Sequence, residues 1–169
     1  ICWNFGIVFF KFMATSRNYH NSFMNTRKIV AALFILLALV LGTIFYTELY
    51  FPQELAAYFK WSYYNQFGPL AICVELLIAG LYLYRKNTKT NFTLALCGFT
   101  ALLDPLCNAI GLFESSVPID GMILFAVCAI VALWLAFSNT FKLGRISFLG
   151  AFLSFILGNA VELFFNYFW

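Results

Sequence analysis

The sequence predicts an all-α polytopic membrane protein: a bundle of five transmembrane helices, amino terminus inside and carboxyl terminus outside, with a short interfacial helix after the first. Three observations predict it. Of 169 residues, 63% are hydrophobic and 10% charged, with a mean hydropathy of +0.88, whereas a soluble domain carries about 25% charged residues. Five apolar stretches approach the roughly 20 residues that a bilayer core demands: 29–50, 66–84, 92–113, 121–138 and 146–168. The basic residues fall in alternate loops, the arrangement that sets orientation in a membrane.

Taken in order, the chain opens with "ICWNFGIVFFKFMATSRNYHNSF", which fits the rest poorly, and "MNTRKIVAALF" from Met24 reads as a natural start. Residues 1–28 are therefore expected to form a cytoplasmic N-terminal extension, and 29–169 a single transmembrane domain. The first apolar run is long for a signal-peptide core and lacks an A-x-A site, so it reads as a retained helix. Between the first two spans lies "FPQELAAYFKWSYYNQFG". Leu55, Tyr58, Phe59 and Ser62 recur at helical spacing among crowded aromatic residues, which predicts a helix lying at headgroup depth. The fourth span is the shortest, but "MILFAVCAIVALWLAF" contains no charge.

Orientation follows from the loops. Arg27 and Lys28 precede the first span, Arg85, Lys86 and Lys89 follow the second, and Lys142 and Arg145 follow the fourth. The opposite loops hold Glu48, Glu54 and Lys60, then Glu114 and Asp120. Only an odd number of spans keeps this pattern. The sequon "NFT" at Asn91 then faces the cytoplasm, out of reach of glycosylation.

Composition also excludes functions. Ten basic residues and a net charge of +3 form no dense run of the kind nucleic acid requires. Cys2, Cys73, Cys97, Cys107 and Cys128 show no CxxC pairing, and His20 lies outside every apolar run. Disulfide frameworks, zinc sites and haem centres thus lack their ligands. No cofactor is expected.

The polar residues inside the spans carry the functional signal. Steps of three and four place Gly68, Ala71, Glu75, Ala79 and Tyr82 on one face of the second span. The third presents Cys97, Ala101, Asp104, Asn108 and Gly111. The fifth presents Ser147, Ala151, Ser154, Gly158 and Glu162, flanked by Asn159 and Asn166. Small residues let membrane helices approach closely, so Glu75, Asp104 and Glu162 are expected to point into a bundle. At about 1.5 Å per residue, Glu75 lies about 16 Å below Tyr64, Asp104 about 15 Å below Glu114 and Glu162 about 10 Å below Trp169, so the three can meet in the outer half. Pro105 has no N–H and frees the carbonyl of Ala101 beside Asp104 and Asn108, as in the broken helices of cation-coupled transporters. The candidate ligand- or ion-binding residues are thus Glu75, Asp104, Asn108, Asn159 and Glu162. A structural role, with protonated carboxyls bonded to neighbouring amides, explains the same residues. Catalysis ranks below both, because no imidazole, nucleophile–base pair or metal cluster accompanies the carboxyls.

The stretch "GPLAICVELLIAGLYLYRKNTKTNFTLAL", residues 68–96, resembles part of the DoxX-like group of small membrane proteins, as does the preceding "YFPQELAAYFKW". In that group a helix with a Glu and small residues runs into a basic turn and another apolar helix. The group typically has four spans, against five here. Some members accompany quinone-linked oxidoreductases or membrane-protein complexes, so the resemblance implies an accessory subunit and assigns only Glu75 a role. The sequence therefore predicts a small, non-catalytic multi-pass protein of the cytoplasmic membrane, binding a small ligand or a membrane-protein partner, or its own copies. The competing prediction is a proton- or cation-coupled carrier using Glu75, Asp104 and Glu162.

Overall fold

The computed structural model describes residues 3–112, 115 and 117–166, with side chains from Asn25 onward except Trp61 and Ser62. Six α-helices follow in order: α1 (Trp3–Glu48), α2 (Trp61–Asn65), α3 (Gly68–Arg85), α4 (Thr90–Ala109), α5 (Ile119–Phe137) and α6 (Phe148–Asn166). No strand occurs among the described residues. Five segments are long and apolar enough to cross a membrane: Asn25–Glu48, Tyr63–Arg85, Thr90–Ala109, Ile119–Phe137 and Phe148–Asn166. They match the five expected runs. The helix α1 continues back without a break to Trp3, so no change of secondary structure marks the expected boundary at residue 28.

The segment expected to be one interfacial helix is two short ones. A 3-10 turn (Leu55–Phe59) ends where Lys60 adopts an extended backbone, and α2 begins at Trp61. Lys60 serves as the cap of both, so the helical spacing from Leu55 to Ser62 crosses a break. Leu55 and Phe59 are exposed, and the Tyr63 ring meets those of Tyr58, Tyr64 and Phe67 edge to face at 5.0–5.6 Å. Gln66 ties the segment down: its side chain accepts from the Tyr50 N–H at 2.9 Å and donates to the Tyr50 carbonyl at 3.2 Å.

The helices pack by close approach. Helix α1 lies along α3, α4 is flanked by α5 and α6, and α3 joins α4. At each major crossing a glycine leaves no room for a Cβ. One added at Gly80 would stand 3.2 Å from the Ala31 carbonyl of α1, one at Gly98 3.1 Å from the Ala129 carbonyl of α5, and one at Gly158 3.1 Å from the Thr100 N of α4. Backbone contact of this kind, through small residues, is how helices generally associate in lipid.

The two ends differ chemically. At the basic end, Arg27 is buried and its Nη1 donates to the carbonyls of Leu83 (2.7 Å) and Tyr84 (3.2 Å), satisfying the last turn of α3. The Asn91 amide donates to the Leu143 and Gly144 carbonyls at 3.4 and 3.3 Å, pinning the α5–α6 turn to α4. The sequon asparagine is thus a buried structural clasp. The opposite, aromatic end gathers the segment 49–67, the α4–α5 loop and the end of α6. There the Cβ of Phe165 lies 3.4 Å from the position a Gly68 Cβ would take.

Polarity is distributed inside out. The buried residues of α6 are Ser154, Gly158, Glu162 and Asn166, while Phe148, Leu149, Phe152, Leu153, Phe155, Ile156, Leu157 and Phe164 are exposed. A helix at a water-facing surface would do the reverse.

Candidate functional site

The small-residue face of α6 brings it so close to α4 that any polar group on that face must find its partners within the bundle. Asp104 of α4 is 2% exposed and Glu162 of α6 is 4% exposed. Their carboxyl groups are in hydrogen-bonding contact. Two ionised carboxylates repel at such range, so the contact holds when they share a proton. Each member is fixed from its far side. Ser115 Oγ donates to Asp104 Oδ2 at 2.9 Å and itself accepts from the Val117 N–H at 3.0 Å. Asn166 Nδ2 donates to Glu162 Oε1 at 2.7 Å and to the Glu162 carbonyl at 3.2 Å.

Glu75 joins from α3. It is half-buried, its carboxyl meets the Thr100 hydroxyl, and it lies close enough to Glu162 to act on it electrostatically. The Thr100 hydroxyl donates to the Leu96 carbonyl at 3.1 Å, as Thr commonly does inside a helix. Glu75 Oε2 is left buried with no partner, and so is Asn166 Oδ1. Thr100 itself sits against Gly158, whose lack of a side chain admits the hydroxyl to the α4–α6 seam.

These contacts form one polar column. It runs from Asn166 at the aromatic end through Glu162 and Asp104 to Glu75 and Thr100. Beyond it, toward the basic end, Leu76, Ala79, Leu83, Leu94, Ala95 and Cys97 are buried in an apolar core with α1 and α5. Ser154, about two turns from Glu162 along α6, donates to its own helix at the Ala151 carbonyl (2.9 Å). The column is closed at one end.

Of the five residues predicted for the site, Glu75, Asp104 and Glu162 come together. Asn108 does not enter the cluster. It is exposed, accepts from the Ser115 N–H at 3.5 Å and points its amide at Met122 Sδ (3.8 Å), so it steadies the loop that delivers Ser115. Asn159 stands apart, its amide donating to the Phe155 carbonyl of its own helix at 2.8 Å. Its position adjacent to Gly158 turns it off the buried face. Pro105 lies inside α4, which continues to Ala109, and the Ala101 carbonyl is left without a helical N–H donor. Sequence reasoning missed Thr100 and Ser115. Thr100 was within reach, because it lies four residues before Asp104 and shares its face. Ser115 was not, because a loop residue has no periodicity. Among the described residues, no group of three or more His, Cys, Asp or Glu is arranged to hold a metal ion.

Compared with known proteins, the chain matches no family model, no curated protein and no solved structure.

Proposed function

We propose that the protein is a five-span protein of the cytoplasmic membrane, amino terminus inside and carboxyl terminus outside, whose carboxyl-lined interior binds a small ligand from the outer side. It works as a non-catalytic membrane subunit, a role consistent with the DoxX-like pattern in residues 68–96. Membrane insertion is supported by the inverted polarity of α6, which buries a Glu and an Asn and leaves phenylalanines exposed. The observation that carries the binding reading is the blind column: Asn166, Glu162, Asp104 and Glu75 line the α3–α4–α6 seam toward the aromatic end, beside an apolar core around Leu41, Phe45, Ile72 and Phe125, and a second apolar core closes the seam toward the basic end. Reporter fusions test the topology. Fusions in the 85–90 turn should report cytoplasm and fusions at the carboxyl terminus the outside; a cytoplasmic carboxyl terminus overturns the five-span arrangement.

A carrier is the second reading, favoured by the Asp104–Glu162 contact and by the carbonyl that Pro105 frees beside it. A coupling Asp104 must gain and lose a proton or cation in each cycle. Asp104→Asn keeps size and hydrogen bonding but cannot ionise. If the protein is a carrier, this variant melts like the parent in detergent and loses pH- or Na⁺-driven flux in liposomes. A parent with no flux under any gradient sinks the carrier and leaves the binding subunit.

A further inference from the structure

Topology requires basic residues at one end of the bundle, but it is indifferent to the backbone position each one takes. Three segments meet at that end. The Arg27 guanidinium reaches the Leu83 and Tyr84 carbonyls, Lys28 Nζ stands 5.9 Å over the Tyr84 ring, and the Asn91 amide holds the 143–144 turn. Arg27 is buried in this work, whereas Lys28, Arg85, Lys86, Lys89, Lys142 and Arg145 are exposed. The chain's seven acidic residues all lie in other segments. The end is a rim of one sign.

Two of the exposed residues stand where a lysine fits poorly. Lys86 and Lys142 have φ of 55° and 54°, in the left-handed region that ordinary side chains avoid. The other described residues with positive φ are glycines, Gly111 and Gly144. Lys86 closes α3: its N–H donates to the Leu83 carbonyl at 3.4 Å, and the Asn87 N–H donates to the Tyr82 carbonyl at 3.0 Å. In a helix ending of this kind the left-handed position is usually glycine. Lys142 sits in a turn held by its own N–H on the Asn139 carbonyl (3.2 Å) and by the Gly144 N–H on Asn139 Oδ1 (3.0 Å). There Phe141, Leu143 and Ile146 pack against the apolar core, while Lys142 and Arg145 stay exposed. A charge needed only for orientation could stand at a neighbouring, unstrained position. Strain kept at a particular residue points to a task for that residue.

The rim also adjoins apolar surface. Ile29 follows Lys28, Tyr84 precedes Arg85, and Phe148 and Leu149 lie about one turn beyond Arg145; all four are exposed. A soluble anion or a nucleic acid would meet only the charges. An anionic lipid meets both, its phosphate at the lysines and its chains along the helices, and basic clusters at the ends of membrane helices attract such headgroups.

We propose that the basic end, with Lys86 and Lys142 as its principal contacts, is a docking surface for the phosphate headgroup of an anionic phospholipid. This surface rests on the membrane reading and is independent of the polar column.

The test uses the full chain in a neutral detergent with three additives: phosphatidylglycerol, phosphatidylcholine with the same chains, and glycerol 3-phosphate. At ten times its dissociation constant, phosphatidylglycerol should raise the melting midpoint by about 3–6 °C, and the rise should shrink in high salt. Phosphatidylcholine lacks the net charge and glycerol 3-phosphate lacks the chains, so neither should match it. Lys86→Gly combined with Lys142→Gly removes both charges and suits the backbone. This variant should melt no lower than the parent without lipid, yet need at least tenfold more phosphatidylglycerol for the same rise. No rise with phosphatidylglycerol, or an equal rise with either other additive, overturns the inference. So does a glycine variant that responds like the parent. A glycine variant that melts lower without lipid would make both lysines structural and overturn it as well. Melting in detergent does not depend on which way the chain crosses a membrane, so failure here leaves the five spans standing and the reporter fusions judge them separately.

Discussion

At the scale of single residues, the polar column depends on two positions that carry no charge. Gly158 is the first. A side chain there meets Thr100 N and Oγ1 at 3.1 Å and Phe99 Cβ at 3.2 Å from the first carbon onward. Gly158→Val should push α6 off α4 and cost about 1–3 kcal/mol, as overpacking generally does, read as a lowered melting midpoint in detergent. An unchanged midpoint would mean that the α4–α6 seam is looser than its geometry. Ser115 is the second. Its hydroxyl links the α4–α5 loop to Asp104 Oδ2 and to the Val117 N–H. Ser115→Ala should cost about 1–3 kcal/mol, since it leaves a buried carboxyl oxygen unpaired. If the melt of Ser115→Ala matches the parent, the loop does not hold Asp104.

At the scale of elements, the sequence was legible wherever periodicity and length decide structure. The five spans and the three carboxyl-bearing faces follow from apolar runs and from steps of three and four. Legibility failed where a single backbone choice intervenes. Lys60 splits the expected interfacial helix, and nothing in "AYFKWSY" announces an extended residue. Asn159 looks like a site residue beside Gly158, but one position along a helix turns a side chain by about 100°, off the buried face. The clasp by Asn91 was hidden because its partners lie in a turn some fifty residues on, and pairing across the chain leaves no local mark. That clasp makes a prediction. Asn91→Ala removes both bonds to the 143–144 turn and should lower stability by about 1 kcal/mol. It should also hasten tryptic cleavage after Lys142 and Arg145 in inside-out vesicles. Cleavage at the parent's rate would show that the turn is held by other contacts.

At the scale of the whole molecule, the proposed orientation rests on few charges, with Arg85, Lys86 and Lys89 as the largest basic cluster. Replacing all three by Gln should yield a mixed population in the reporter assay, because basic residues in short loops dominate the choice; a uniform population would place the decision in the first helix. The inverted polarity of α6 has a further consequence, for biosynthesis. As the chain leaves the ribosome, α6 emerges after α4, bearing Glu162 and Asn166 on the very face that α4 covers. Alone in lipid it would carry a carboxyl at a cost of roughly 2.5–3.5 kcal/mol on the insertion scale for a central charge. On the five-span reading, its entry into the bilayer is therefore tied to α4 being already there to receive it. Chains whose α4 is disrupted by mutation should, on the same five-span reading, strand α6 outside the membrane, exposed to the cell's quality-control proteases.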